Sequence, residues 1–239
     1  MQASLAIAVF EFVILLFSLS FHECAHAWMA SRLGDQTARL QGRVTLNPMY
    51  HIDPIGTLLF PAIAIFGPFI GLRYLSGMLI GWAKPTPVIS RNFTKIRRDE
   101  NLVTLAGPVS NLMLAGVAFL CMAIISIAIH GGQFLVLSAL QGGLTMDAPS
   151  GLQAFVLLCT LALLINLSLF IFNLLPIPPL DGSHLLRNAL PYNALRTYDQ
   201  IPGWLGWILM ILFGRIVLGL LLTPMLTLVY FAIRLIPGS

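Results

Sequence analysis

Charge is what this chain has least of. Lysine, arginine, aspartate and glutamate make up only 9% of its 239 residues, while 58% are hydrophobic. A soluble domain carries about 25% charged residues. So few charges cannot build a water-facing surface, so lipid must cover much of the protein. The net charge of +4 is modest, and its basic residues sit mostly in loops between apolar runs. That pattern excludes a nucleic-acid footprint and fits membrane orientation. The length is expected to form a single membrane-embedded domain, 1–239, with no room for an appended soluble domain of ordinary size.

Cysteine is also scarce. Cys24, Cys121 and Cys159 lie in apolar stretches without a CxxC pair, and buried free thiols are expected. No lysine or arginine precedes Arg32, so the first apolar run lacks the basic leader of a signal peptide. Acidic residues number 9 in all, which keeps the search for a carboxylate with a chemical role short.

What the chain does have is long apolar runs. A bilayer core needs about 20 apolar residues in a helix. Residues 3–29, 102–129 and 151–176 meet that length, and the last two carry no charge. The stretch 55–82 is broken by Pro61, Gly67, Pro68, Gly71, Arg73 and Gly77, which suits a re-entrant hairpin. The stretch 201–235 contains Arg215 and Pro224 and is too long for one simple crossing, so two short spans or a hairpin are expected. Residues 38–46 alternate in part and predict a short β-strand or hairpin after the first helix. The fold class is therefore an all-α polytopic membrane protein, a helix bundle with broken or re-entrant segments.

Loop charge orients the bundle. Arg32, Arg39 and Arg43 follow the first span, Lys84 to Arg98 follow the broken stretch, and Arg187 and Arg196 follow 151–176, whereas 130–150 has no lysine or arginine. The positive-inside rule puts the basic loops in the cytoplasm, provided 55–82 returns to the side it entered from.

Within the first span, His22-Glu23-Cys24-Ala25-His26 reads H-E-x-x-H. Histidines at i and i+4 share a helix face and can reach one metal, and the glutamate beside them can act as general base on a water. Ionisable groups in a membrane helix cost about 2.5–3.5 kcal/mol each on insertion scales, so their clustering needs a reason. A catalytic zinc takes a third protein ligand. Asp181 is the leading candidate: it follows an uncharged span, and Pro176, Pro178 and Pro179 end that helix and can turn the chain back toward the bundle. His184 and His51 are rivals. Asn173 is the candidate donor to an oxyanion, with bonding across helices almost as well suited, whereas Asn111 is read as a packing or interhelical residue. Asn166 shares a helix face with Asn173.

These motifs together resemble the site-2 protease family of intramembrane zinc metalloproteases, the M50 class. Its second motif, N-x-x-P-x-P-x-x-D-G, is met by Asn173, Pro176, Pro178, Asp181 and Gly182. Smaller matches lie at Asn47-Pro48 to Gly56-Thr57, at Gly81-Trp82-Ala83-Lys84-Pro85 and at Gly107-Pro108-x-x-Asn111. The resemblance implies one Zn2+ per chain held by His22, His26 and Asp181, with Glu23 as the base. It implies transmembrane protein substrates, usually trimmed first by another protease, and a multi-pass location in a prokaryotic plasma membrane with the site toward the cytoplasm. It is similar to the minimal form without PDZ or CBS modules. An unwound substrate could add to a strand edge at 38–46. A transporter or channel with a metal site is the alternative, but it leaves the joint presence of His22, Glu23, His26 and Asp181 unexplained.

Overall fold

The computed structural model describes residues 2–71, 82–143 and 151–237. Among them, four helices are long and apolar enough to cross a membrane: α1 (Gln2–Arg32), α4 (Ile96–Ala128), α6 (Gly151–Asn173) and α9 (Gly203–Leu235). Shorter helices are α2 (Thr37–Leu40), α3 (Phe60–Phe66), α5 (Gly132–Leu140), α7 (Asp181–Ala189) and α8 (Tyr192–Tyr198). The protein is a multi-pass, all-α membrane protein.

α4 is the axis of the bundle and packs against α1, α5, α6, α7 and α9. Its first turn carries charge because it emerges from the apolar layer, and the Asp99 carboxylate accepts a hydrogen bond from the Lys95 N–H at the helix start, 2.9 Å away. The core at one end joins Met122 of α4, Val136 of α5, Val156 and Leu163 of α6 and Ile233 of α9, all fully buried. The outward faces stay apolar: Val9, Val13 and Phe17 of α1 are about half exposed, and so are Leu120 and Ile124 of α4. Lipid supplies the contact that water would deny these side chains.

Two expectations need correction. Residues 38–46 hold no strand. Asp35 instead accepts bonds from the Thr37 N–H (3.1 Å) and hydroxyl (2.6 Å), which seeds α2, and Gly42 turns the chain at φ 72°. Nor is 201–235 split. α9 is one helix of 33 residues that runs through Pro224. That is about 50 Å of helix, against a hydrocarbon layer of about 30 Å. α4 has the same length. Tilt and protruding ends absorb such excess without breaking the helix.

The broken stretch behaves as a return. Residues Pro54–Ile70 are helical, through a wide π-turn, α3 and a 3-10 turn, and the Phe66 ring meets Phe12 of α1 at 5.8 Å between centroids. The positions 72–81 lie outside the described residues. The ends of the stretch nevertheless meet: the Trp82 N–H donates to Gly56 O at 3.2 Å, and the Thr57 hydroxyl to Trp82 O at 2.8 Å. The chain therefore leaves and re-enters at one end of the bundle, as the loop charges require.

That end also collects the C-terminal end of α1, the N-terminal ends of α4 and α9, and the turn after α6. Pro176, Pro178 and Pro179 stop α6 from continuing, and Leu180 is extended ahead of α7. Gly182 packs onto the end of α6, where a Cβ would fall on the carbonyls of Leu174 and Leu175. Only glycine lets the turn close so tightly, and the closure carries Asp181 inward.

Candidate metal centre

The two histidines of α1 sit in its C-terminal third, roughly 10–15 Å of helix from Arg32 at 1.5 Å per residue. Both are buried. Their Nε2 atoms lie 3.0 Å apart. The Oδ2 atom of Asp181, the first residue of α7, lies 3.2 Å from His22 Nε2 and 3.5 Å from His26 Nε2. Three donor atoms thus form a small triangle joining the first helix of the chain to its seventh.

Each imidazole is fixed from behind. His22 Nδ1 is 3.0 Å from the Asn111 side-chain oxygen, and His26 Nδ1 is 2.7 Å from the Val103 carbonyl. Both partners accept, so each Nδ1 carries the hydrogen and each Nε2 turns a bare lone pair toward the triangle. Asp181 Oδ2 is buried there without a hydrogen-bond donor. A carboxylate oxygen facing two nitrogen lone pairs at these separations is repulsive by itself, and a cation held between the three atoms satisfies all of them.

Zinc fits this donor set. Zinc–nitrogen and zinc–oxygen bonds of about 2.0–2.1 Å in a tetrahedron separate the ligand atoms by about 3.3 Å, and the three separations here run from 3.0 to 3.5 Å. Among the described residues, the group of His22, His26 and Asp181 is the one with this potential.

α4 makes room for the pair. Gly107 lies against both rings: a Cβ there would fall 2.6 Å from His22 Cε1 and closer still to His26 Nε2. Buried Pro108 follows it inside the helix.

Glu23 is half-buried on the adjoining face of α1, and its Oε2 accepts hydrogen bonds from the Thr86 N–H (3.1 Å) and hydroxyl (2.8 Å). Other expected residues fall elsewhere. His51 is buried but turns Nε2 to the Thr45 carbonyl at 2.8 Å, and His184 is exposed. Cys24 stays outside the triangle. The Asn173 amide donates to the Leu169 carbonyl of its own helix at 2.9 Å, and the Asn166 amide likewise to Ala162 at 2.9 Å. Asn111, read from sequence as a packing or interhelical residue, does bond across helices, and its partner is His22 of α1. Thr86 and the Val103 carbonyl carry no motif that marks them. The resemblance at Gly81–Pro85 stops one residue short of Thr86, and a backbone acceptor such as Val103 leaves no mark in a sequence.

Comparison with known proteins gives a consistent set. The model of peptidase family M50 matches residues 10–201. The "Putative zinc metalloprotease YwhC" of Bacillus subtilis is 36% identical over 214 residues, covering 90% of this chain and 84% of that protein. The "Putative zinc metalloprotease Rip2" of Mycolicibacterium smegmatis is 30% identical over 224 residues, covering 92% of this chain and 70% of that one. Its namesake in Mycobacterium tuberculosis is 32% identical over 175 residues, with 73% and 55% covered. No solved structure matches the chain.

Proposed function

The chain belongs to peptidase family M50 and is a membrane-embedded zinc metalloprotease; from that premise we propose that His22, His26 and Asp181 hold the zinc, that Glu23 is the general base, and that the substrates are transmembrane segments of other membrane proteins. The observation that carries the assignment is the triangle of bare Nε2, Nε2 and Oδ2 atoms with edges of 3.0–3.5 Å.

Bound zinc supplies a Lewis acid that polarises the scissile carbonyl and makes a neighbouring water acidic. The chain's own residues do the rest. Asn111 and the Val103 carbonyl keep the Nε2 lone pairs of the histidines directed inward. The Glu23 carboxylate takes a proton from the attacking water and passes it to the leaving amine nitrogen.

The apolar outer faces of α1, α4 and α9 support substrates that arrive through the bilayer. Such a substrate must unwind locally, because a helix engages its carbonyls in bonds to the N–H four residues on. Arg32, Arg39, Arg43, Arg97 and Arg98 cluster at the end of the bundle that holds the site, which supports a cytoplasmic-facing centre. The reading extends to regulated cleavage in a prokaryotic plasma membrane, in which another protease trims the substrate first, and to residues 1–239 acting as one domain.

Purified protein in liposomes, given a membrane-spanning test substrate, checks this. Glu23→Gln is expected to keep zinc and lose about 10²–10⁴-fold in rate. Asp181→Ala is expected to lose zinc. Wild-type cleavage by Glu23→Gln, or one zinc per chain in Asp181→Ala, would sink the assignment.

A further inference from the structure

Glu23 is gripped from outside its own helix, by a strap that follows the broken stretch. Residues 82–89 run without regular structure across α1. One end is tied by Trp82 to Gly56 and Thr57, and by the Lys84 N–H to the His51 carbonyl at 2.9 Å. The other end is tied to buried Asp35, by the Ile89 N–H at 2.7 Å and by the Asn92 side-chain amide at 2.8 Å.

Thr86 sits between these anchors and between two prolines, Pro85 and Pro87. The prolines have no N–H and hold the residues before them extended. Thr86 therefore carries the one backbone donor of that tripeptide, and it points at Glu23 Oε2; the Thr86 hydroxyl lies 2.8 Å from the same oxygen and 3.1 Å from the Glu23 backbone carbonyl, so its one hydrogen goes to the nearer, charged acceptor. Both bonds fall on the same carboxylate oxygen. No described residue bonds Oε1. Two charge-assisted bonds to one oxygen fix both the rotamer and the plane of a carboxylate that would otherwise turn freely.

We propose that Thr86 is a positioning residue for Glu23: by anchoring Oε2 it presents Oε1 as the oxygen that receives the proton of the attacking water and later releases it to the leaving nitrogen. The inference rests on the reading of Glu23 as the base. It assigns a task to the strap that the metal ligands do not require, since the hydrogen bonds of the Thr86 N–H and hydroxyl go to Glu23.

The test compares Thr86→Val, which keeps the shape and removes the hydroxyl, with Thr86→Ser, which keeps the hydroxyl. Zinc-loaded protein in liposomes is assayed on one membrane-spanning substrate, with zinc content measured beside it. Thr86→Val is expected to lower kcat about 3- to 10-fold, with KM and zinc content unchanged, and Thr86→Ser to restore it. Added to Glu23→Gln, Thr86→Val should cause no further loss, because residues that act through one another are not additive. An unchanged kcat in Thr86→Val, a raised kcat that would mark the strap as a restraint, or a loss confined to KM or zinc content each overturns the proposal. Wild-type cleavage by Glu23→Gln would overturn the base assignment itself, whereas an inactive Glu23→Gln beside an unaffected Thr86→Val overturns only the role of Thr86.

Discussion

The Nδ1–H of His22 donates to the Asn111 side-chain oxygen at 3.0 Å, across the interface between α1 and α4. The bond fixes the tautomer that leaves Nε2 free, and it ties one ring of the candidate metal centre to the central helix. Partners of this kind are worth about 10–100-fold in metal affinity. Asn111→Leu is expected to weaken zinc binding by that factor, whereas Asn111→Asp, which still accepts from Nδ1, should retain it. Competition against a chelator of known affinity checks both, and equal affinity in Asn111→Leu would refute the role.

α4 also provides a matched pair of glycines. At Gly107 a Cβ would strike the imidazoles of His22 and His26; at Gly116 nothing lies within 4 Å. Alanine is favoured over glycine inside a helix by about 1 kcal/mol. Gly116→Ala is therefore expected to be neutral or stabilising. Gly107→Ala should displace the imidazole pair and abolish stoichiometric zinc. Zinc content per chain, measured on both folded variants, separates the steric effect from helix propensity.

Asp35 carries a pH dependence outside the membrane spans. Burial alone would raise its carboxyl, but bonds from Thr37, Ile89 and Asn92 outweigh that and hold it below the usual carboxylate range. A carboxyl depressed in the folded state stabilises the fold above its unfolded value of about 3.9, and that contribution is lost as pH falls through the folded value. Asp35→Asn should melt below wild type at neutral pH, and the gap should close under acid conditions. Melting curves from pH 7 to 3 test the sign; a gap that widens toward acid would contradict it.

The parts of the centre visible in sequence are those written in local spacing. His22 and His26 share a helix face by their separation alone, and the prolines before Asp181 mark where a helix must stop. The parts that were not visible depend on which distant backbone comes to lie beside them. The Val103 carbonyl, the Thr86 N–H and the Asn111 oxygen acquire their tasks only once α4 and the strap have packed on α1. The same holds for the fold. Loop charge required 55–82 to return, and the meeting of Gly56 with Trp82 bears that out. By contrast, Pro224 predicts a break in 201–235, yet α9 continues through it. The partial alternation at 38–46 carried too little burial to resist the helical turn that Asp35 seeds.

Gly206 links the candidate metal centre to the last helix. A Cβ at this buried position of α9 would fall on the Pro178 carbonyl and within 3.3 Å of Ile177. The turn it would push is the one that delivers Asp181, and a carbonyl within a proline-rich segment has little freedom to move aside. Trp207, the next residue, packs on Trp82 with ring centroids 5.1 Å apart, so α9 cannot easily shift instead. Gly206→Ala is therefore expected to move Asp181 away from the imidazoles and to weaken zinc binding, while His22 and His26 stay in place on α1. Gly219→Ala, in the same helix with nothing within 4 Å, is the control and should bind zinc as wild type does. Zinc affinity measured on both variants decides the matter: equal affinities would mean that α9 merely leans on the turn without setting the position of its carboxylate.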